Sequence, residues 1–212
     1  ISGTQTLNAT YLPGVLSDIS GKYEEFEWEL IENNYENIQD KLKSGYFDIV
    51  IGPKRNISTE KLKEEIECID FFQVPVNLYT AVDYLKDRDS ITWTELEKEK
   101  VIMFDVRSYA HLKTYSGYDL QLKDIEISNN LSSTLARVED KFASLISAIY
   151  VRKIIKAYDV REIAIVEPSI RLTICLYIKK QTAQQIPAEL IELLTTSLRE
   201  KVSRNVAIEN VD

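Results

Sequence analysis

The segment LKSGYFDIVIGP (Leu42–Pro53) carries the reading of the fold. Leu42 ends a helix-like stretch, Gly45 stops it, and Phe47–Pro53 is a β-branched run with no polar alternation. A short strand that is apolar on both faces belongs in the middle of a sheet covered by helices. Glycine is the common exit from a helix because it adopts the left-handed conformation without a Cβ clash.

Working back toward the start, Ile38 and Leu42 give a helix from about Tyr35 to Lys43. Phe26, Trp28 and Leu30 alternate with Glu25, Glu27 and Glu29, which predicts a half-buried strand with one acidic face. Tyr11, Leu12, Val15, Leu16 and Ile19 are spaced by three and four residues, a helical stripe over 10–20. The order β-α-β-α-β within the first 53 residues is the pattern of an open parallel sheet.

Working forward, 58–82 ends in a long strand and DYLKDRDS (83–90) is a charged break. The rhythm then restarts. A short helix over 92–98, a strand over 100–105, a helix over 108–115, a strand over 124–130, a helix over 132–141 and a strand over 143–150 are expected. IAIVEPSIRLTICLYIKK (163–180) reads as two strands about a proline turn. Residues 186–204 read as an amphipathic helix with Leu190, Leu193, Leu194, Leu198 and Val202 on one face.

Composition narrows the function. The 212 residues are 44% hydrophobic and 28% charged, ordinary for a soluble globular protein, and no apolar run is long enough for a membrane span. A net charge of −8 is poorly suited to binding nucleic acid directly, since phosphate contacts need Lys and Arg. Cys68 and Cys175 are far apart, with no CxxC and one histidine, so no zinc site assembles in the usual way. They read as two buried thiols of a cytoplasmic protein, and neither metal nor cofactor is expected. A start at Ile1, followed at once by polar residues, reads as a piece of a longer chain, though a processed secreted chain would also lack the methionine. His111 has no sequence neighbour that suggests a catalytic partner, so no catalytic residue is assigned.

GTQTLNATYLPGVL (Gly3–Leu16) leaves two readings open. Thr4, Gln5, Thr6, Asn8 and Thr10 either cap a helix or line a ligand pocket.

Several landmarks now coincide. Leu12-Pro13 opens a helix after a hydroxyl-rich segment. Leu42-Lys-Ser-Gly45-Tyr-Phe-Asp48 joins helix to strand, Ile91-Thr-Trp-Thr-Glu-Leu96 follows the first crossover, and Glu167-Pro-Ser-Ile-Arg171 precedes a long strand. In this order, over nearly the whole length, the chain resembles the effector-binding domain of LysR-type transcriptional regulators. Two departures stand out. Lys141-Phe142-Ala143 occupies the place of a common Gly-Leu-Gly turn, and Ala148 that of a usual proline.

The resemblance implies an α/β fold of two Rossmann-like subdomains joined by two crossover strands, the type 2 periplasmic-binding-protein fold. Subdomain I would be 1–82 plus 171–212, and subdomain II 83–170. It also implies a small effector in the cleft between them. The opening polar run would supply Thr4, Gln5, Thr6 and Asn8, with Gly52 beside them. Arg107, Ser108 and Asn129 would form the facing wall, and Arg107 suits bidentate recognition of a carboxylate. Thr4-x-Thr6 is similar to the binding loop of the cysteine-regulon subgroup, which points to a carboxylate, sulfate or similar anion. The family further implies a homodimer or homotetramer pairing 10–20 with 132–141, contact with DNA only through an absent N-terminal winged helix-turn-helix, and no membrane. An extracytoplasmic solute-binding protein of a transporter is the alternative.

Overall fold

The computed structural model describes residues 1–23, 27–32, 38–54, 64–103, 120–128, 130–166 and 169–209. In chain order the elements are β1 (Ser2–Gly3), α1 (Gln5–Thr10), α2 (Leu12–Ser20), β2 (Ile31–Glu32), α3 (Ile38–Lys43), β3 (Ile49–Pro53) and β4 (Ile66–Ala81). They continue as β5 (Ser90–Ile91), α4 (Trp93–Leu96), β6 (Lys100–Met103), β7 (Asp124–Ile127), α5 (Leu131–Glu139), β8 (Ser144–Ser147) and α6 (Ala148–Val151). The last four are β9 (Val160–Ile165), β10 (Ile170–Lys179), α7 (Lys180–Ala183) and α8 (Ala188–Ser203). The chain divides into two compact units, 1–74 with 172–212, and 75–171.

In the first unit β1 is flanked by β2 and β3, both parallel to it, with Ser2 opposite Ile31 and Val50. β10 closes on β3 in antiparallel sense, Cys175 opposite Gly52, and β4 lies on the far side of β10. The sheet is therefore mixed, and the wholly parallel arrangement expected from the opening segment holds for β1, β2 and β3. Leu12, Val15, Leu16 and Ile19 of α2 are buried, as their spacing requires. Burying each stabilises by about 1.5–3 kcal/mol. Leu42, Phe47, Val50, Ile66, Cys175 and Tyr177 form a second apolar group. Gly45 ends the α3 segment at φ +75°.

In the second unit β6 and β7 are parallel neighbours, and β9 pairs with β4 and β5. Trp93, Leu96, Val101, Met103, Leu145 and Ile163 belong to its core. Thr92 and Glu95 start α4 with a reciprocal cap: the Thr92 hydroxyl accepts the Glu95 N–H, and the Glu95 carboxylate accepts the Thr92 N–H.

Two expectations about elements change. Residues 27–30 are not a strand; Trp28 is exposed and donates its indole N–H to the Ser20 hydroxyl at 3.0 Å, and the strand falls at Ile31–Glu32. The expected strand over 143–150 is β8 followed directly by α6, because Ala148–Val151 turn into a helix with all four residues buried. A run that is buried on every side carries no period from which strand and helix can be told apart. The expected helix over 108–115 lies outside the described residues, as do Phe26 and Glu25.

Candidate functional site

The opening polar run is more helical than its composition suggests. β1 ends at Gly3, and α1 begins at Gln5 with Thr4 as its N-cap, the Thr4 Oγ1 accepting the Leu7 N–H at 3.3 Å. The Thr6 carbonyl accepts the Thr10 hydroxyl. Asn8 donates from Nδ2 to the Ile31 carbonyl at 3.0 Å, tying α1 to β2. Its Oδ1 is buried against Gly3 and accepts no hydrogen bond among the described residues.

Gly3 lets this happen. A Cβ there would come within 2.5 Å of Asn8 Oδ1 and 2.7 Å of Leu12 Cδ1. The bare backbone of β1 thus admits the side chains of α1 and α2 against the sheet.

Gly3 lies opposite Ile51 in a parallel pair, so Thr4 and Gly52 are the next residues along two neighbouring strands at the same edge. Thr4 and Gly52 therefore stand side by side at the carboxyl ends of β1 and β3, and Gln5, Thr6 and Asn8 follow Thr4 on α1. In open α/β sheets that edge is the usual place for ligands. Neither α1 nor α2 has an acidic residue in its first turn. The Gly52 carbonyl also accepts the Cys175 thiol, at 3.5 Å.

Arg107, Ser108 and Asn129 lie outside the described residues. Asn130, next in line, is committed elsewhere: its Oδ1 accepts the Ser133 N–H at 3.0 Å as the N-cap of α5. Ser2 escaped attention in the sequence. It is fully buried with no partner on its hydroxyl among the described residues, but it precedes Gly3 on the strand and so faces the other side of the sheet from Asn8. A serine opening an otherwise apolar strand was the one available signal.

The architecture is that of the type 2 periplasmic-binding-protein fold. The LysR substrate binding domain family matches residues 1–199, and the chain belongs to that family. Solved structures agree in fold. The regulatory domain of MetR, a LysR family regulator from N. meningitidis, superposes with a TM-score of 0.73 at 9% identity, covering 100% of this chain and 96% of that one. The BenM effector-binding domain with its effector benzoate gives 0.75 at 16%, covering 96% and 90%. The oxidized form of OxyR gives 0.72 at 19%, covering 95% and 94%. Against full-length BenM the chain spans 66% of the longer protein. No curated protein matches the sequence. The family match does not favour the transporter-receptor alternative. Among the described residues, no helix is long and apolar enough to cross a membrane.

Proposed function

We propose that this chain is the sensing part of a LysR-type regulator and that it binds a small anion, a carboxylate or sulfate, at the β1–α1 junction. The observation that carries the reading is the family match over 1–199, together with the polar cluster at the parallel strand ends. Thr4 and Thr6 offer hydroxyls and the first turn of α1 offers backbone N–H groups, all suited to a negative group. BenM is described with benzoate as its effector, a small aromatic carboxylate, which supports the same ligand class here. Arg107, Ser108 and Asn129 complete the proposed site, Arg107 meeting the carboxylate with its planar fork. No residue has a catalytic role in this reading. The protein acts in the cytoplasm.

A ligand acts only through its differential affinity for the protein's alternative conformations. We propose that the resulting shift reaches DNA-binding domains outside this chain through contacts in a homodimer or homotetramer, using 10–20 and 132–141. Sedimentation of the chain as a monomer at high micromolar concentration would remove that part.

The ligand part is tested by thermal shift against benzoate, other small carboxylates, sulfate and sulfur metabolites. A true effector raises the melting temperature, by about 2.7 kcal/mol of stabilisation at a hundredfold excess over Kd. The double variant Thr4→Val/Thr6→Val, measured from its own ligand-free baseline, should lose the shift. An undiminished shift places the site elsewhere.

A further inference from the structure

Cys68 and Cys175 are 107 positions apart, yet the fold brings them together. Cys68 and Asp70 lie on β4 two residues apart, so their side chains project from the same face. Cys175 lies on β10, the strand beside β4. One ligating atom from each of Cys68, Asp70 and Cys175 falls within 4.8 Å of the other two. The Cys68 thiol donates to Asp70 Oδ1 at 3.9 Å, while Lys54 Nζ sits 2.5 Å from Asp70 Oδ2. Gly52, directly opposite Cys175 on β3, puts no side chain on that face.

We propose that Cys68, Cys175 and Asp70 form a binding site for a thiophilic divalent metal ion of the zinc or cadmium class. Five features argue for it. Two sulfurs and one carboxylate oxygen are a donor set that zinc-like ions accept, and soft sulfur selects against magnesium and calcium. Zinc–sulfur bonds of about 2.3 Å and zinc–oxygen bonds of about 2.0–2.2 Å in a tetrahedron put sulfur and oxygen about 3.5 Å apart. The Cys68–Asp70 separation is already within about half an ångström of that.

Charge also balances. Binding one M²⁺ ion releases the two thiol protons, leaving two thiolates and a carboxylate around the metal, and the Lys54 ammonium offsets the remaining negative charge. Lys54 holds the outer carboxylate oxygen and leaves the inner one for the metal, the usual arrangement for orienting a ligating carboxylate. Finally, the donors stand on sheet strands and not on loops, which fixes their spacing. Cys175 is fully buried, whereas Cys68 and Asp70 are half-buried, so an ion enters from the β4 side. Three protein donors leave a fourth position for water or another small ligand. Bound there, the metal clips β4 to β10 within the first unit.

The test uses the tag-free 212-residue chain, stripped with chelator and kept reduced with a phosphine. Added cadmium should produce a thiolate-to-metal charge-transfer band in the ultraviolet that saturates at one equivalent per chain. Zinc should compete the band away and magnesium should not. Cys68→Ser and Cys175→Ala should each abolish stoichiometric binding, and Asp70→Asn should weaken it by about tenfold or more. Should the Cys175 variant fail to fold, the unaltered protein still decides: zinc must protect the half-buried Cys68 thiol from alkylation. A missing band, binding that survives Cys175→Ala, or a Cys68 thiol alkylated equally fast with and without zinc would each overturn the site. A Cys68–Cys175 disulfide in air, with no cadmium taken up after re-reduction, would overturn it as well.

Discussion

Asp18 of α2 receives two donors from α8 on one oxygen: the Ser197 hydroxyl at 2.7 Å and Lys201 Nζ at 2.8 Å, both to Oδ2. The partners are about 180 positions away in sequence, so the contact joins the first and last long helices of the first unit. Ser197 is buried, which makes the hydroxyl contact less exposed to competition from water than the lysine pair.

The Asp18 carboxyl is held below the usual carboxylate range, first by the hydrogen bond from Lys201 and then by that from Ser197. A depressed carboxyl contributes stability that is complete above the unfolded value, about 3.9, and is lost as pH falls through the lower folded one. Asp18→Asn should therefore cost stability at pH 7, about 0.2–1 kcal/mol given the partial exposure of the lysine pair. The difference should shrink as pH falls below the unfolded value, about 3.9, and vanish once pH is below the depressed folded one. Urea unfolding of both proteins at several pH values checks this; a difference independent of pH would remove the carboxylate from the account.

Gly3→Ala tests the approach of α1 to β1. The new methyl would collide with Asn8 Oδ1 and Leu12 Cδ1, and Leu12 is fully buried, so the half-buried asparagine is the side chain expected to move. Doing so breaks the Asn8–Ile31 hydrogen bond. The expected loss is about 1–3 kcal/mol, the range for overpacking a filled site. If the proposed effector site is correct, the thermal response to its anion should fall as well. An alanine variant as stable as the parent would show that the junction has room to spare.

Much of the architecture was legible because local chemistry and global fold agree. Leu12, Val15, Leu16 and Ile19 declare one helix, Gly45 declares the end of another, and Ile49–Pro53 can only be a covered strand. What failed to show had physical causes. α1 is six residues of mostly polar composition, and its helical state depends on the Thr4 cap and on packing against β1. The alternation around Trp28 imitates a strand, but the tryptophan is held at the surface by Ser20. The Cys68–Asp70–Cys175 cluster was invisible because the pairing of two strands a hundred residues apart leaves no mark on local spacing. At the candidate site Thr4 and Gly52 stand at one sheet edge, which followed from reading two parallel strands in succession.

In the second unit, Glu162 of β9 accepts from Asn77 Nδ2 at 2.7 Å and from the Tyr79 hydroxyl at 3.2 Å, and it pairs with Arg152 at 2.7 Å. Burial pushes the Tyr79 phenol well above its ordinary range, and the Glu162 charge adds to this. A raised phenol contributes stability that is complete below the unfolded value, about 10, and is lost as pH rises through the folded one. Glu162→Ala should cost about 2 kcal/mol at neutral pH, since it strands a buried hydroxyl that donated to a charged group. It should also lower the pH at which Tyr79 ionises. Chemical unfolding and alkaline ultraviolet titration against Tyr79→Phe measure the two effects. Ionisation unchanged in Glu162→Ala would leave burial as the sole cause.

Lys141 follows α5 at φ +67°, in the left-handed region that side chains other than glycine seldom occupy. This is where the LysR resemblance leads one to expect the first glycine of a Gly-Leu-Gly turn, and the backbone keeps the glycine conformation although the residue is lysine. The left-handed state costs an L-residue about 1–2 kcal/mol, while glycine adds back unfolded-state entropy of about half that or more. Among the described residues the lysine has one compensation, an ion pair from Nζ to Asp83 at 3.2 Å, but both side chains are largely exposed and such pairs contribute little. Lys141→Gly should therefore stabilise the chain, by about 0.5–1 kcal/mol. Lys141→Ala, which loses the ion pair and keeps the strain, should be neutral or slightly worse than the parent. Thermal melting of the three proteins at 0.1 and 1 M salt separates the terms, because only the ion pair responds to salt. If glycine destabilises at both salt concentrations, the lysine is held by something other than strain and a surface pair, and the turn does not carry the cost assigned to it.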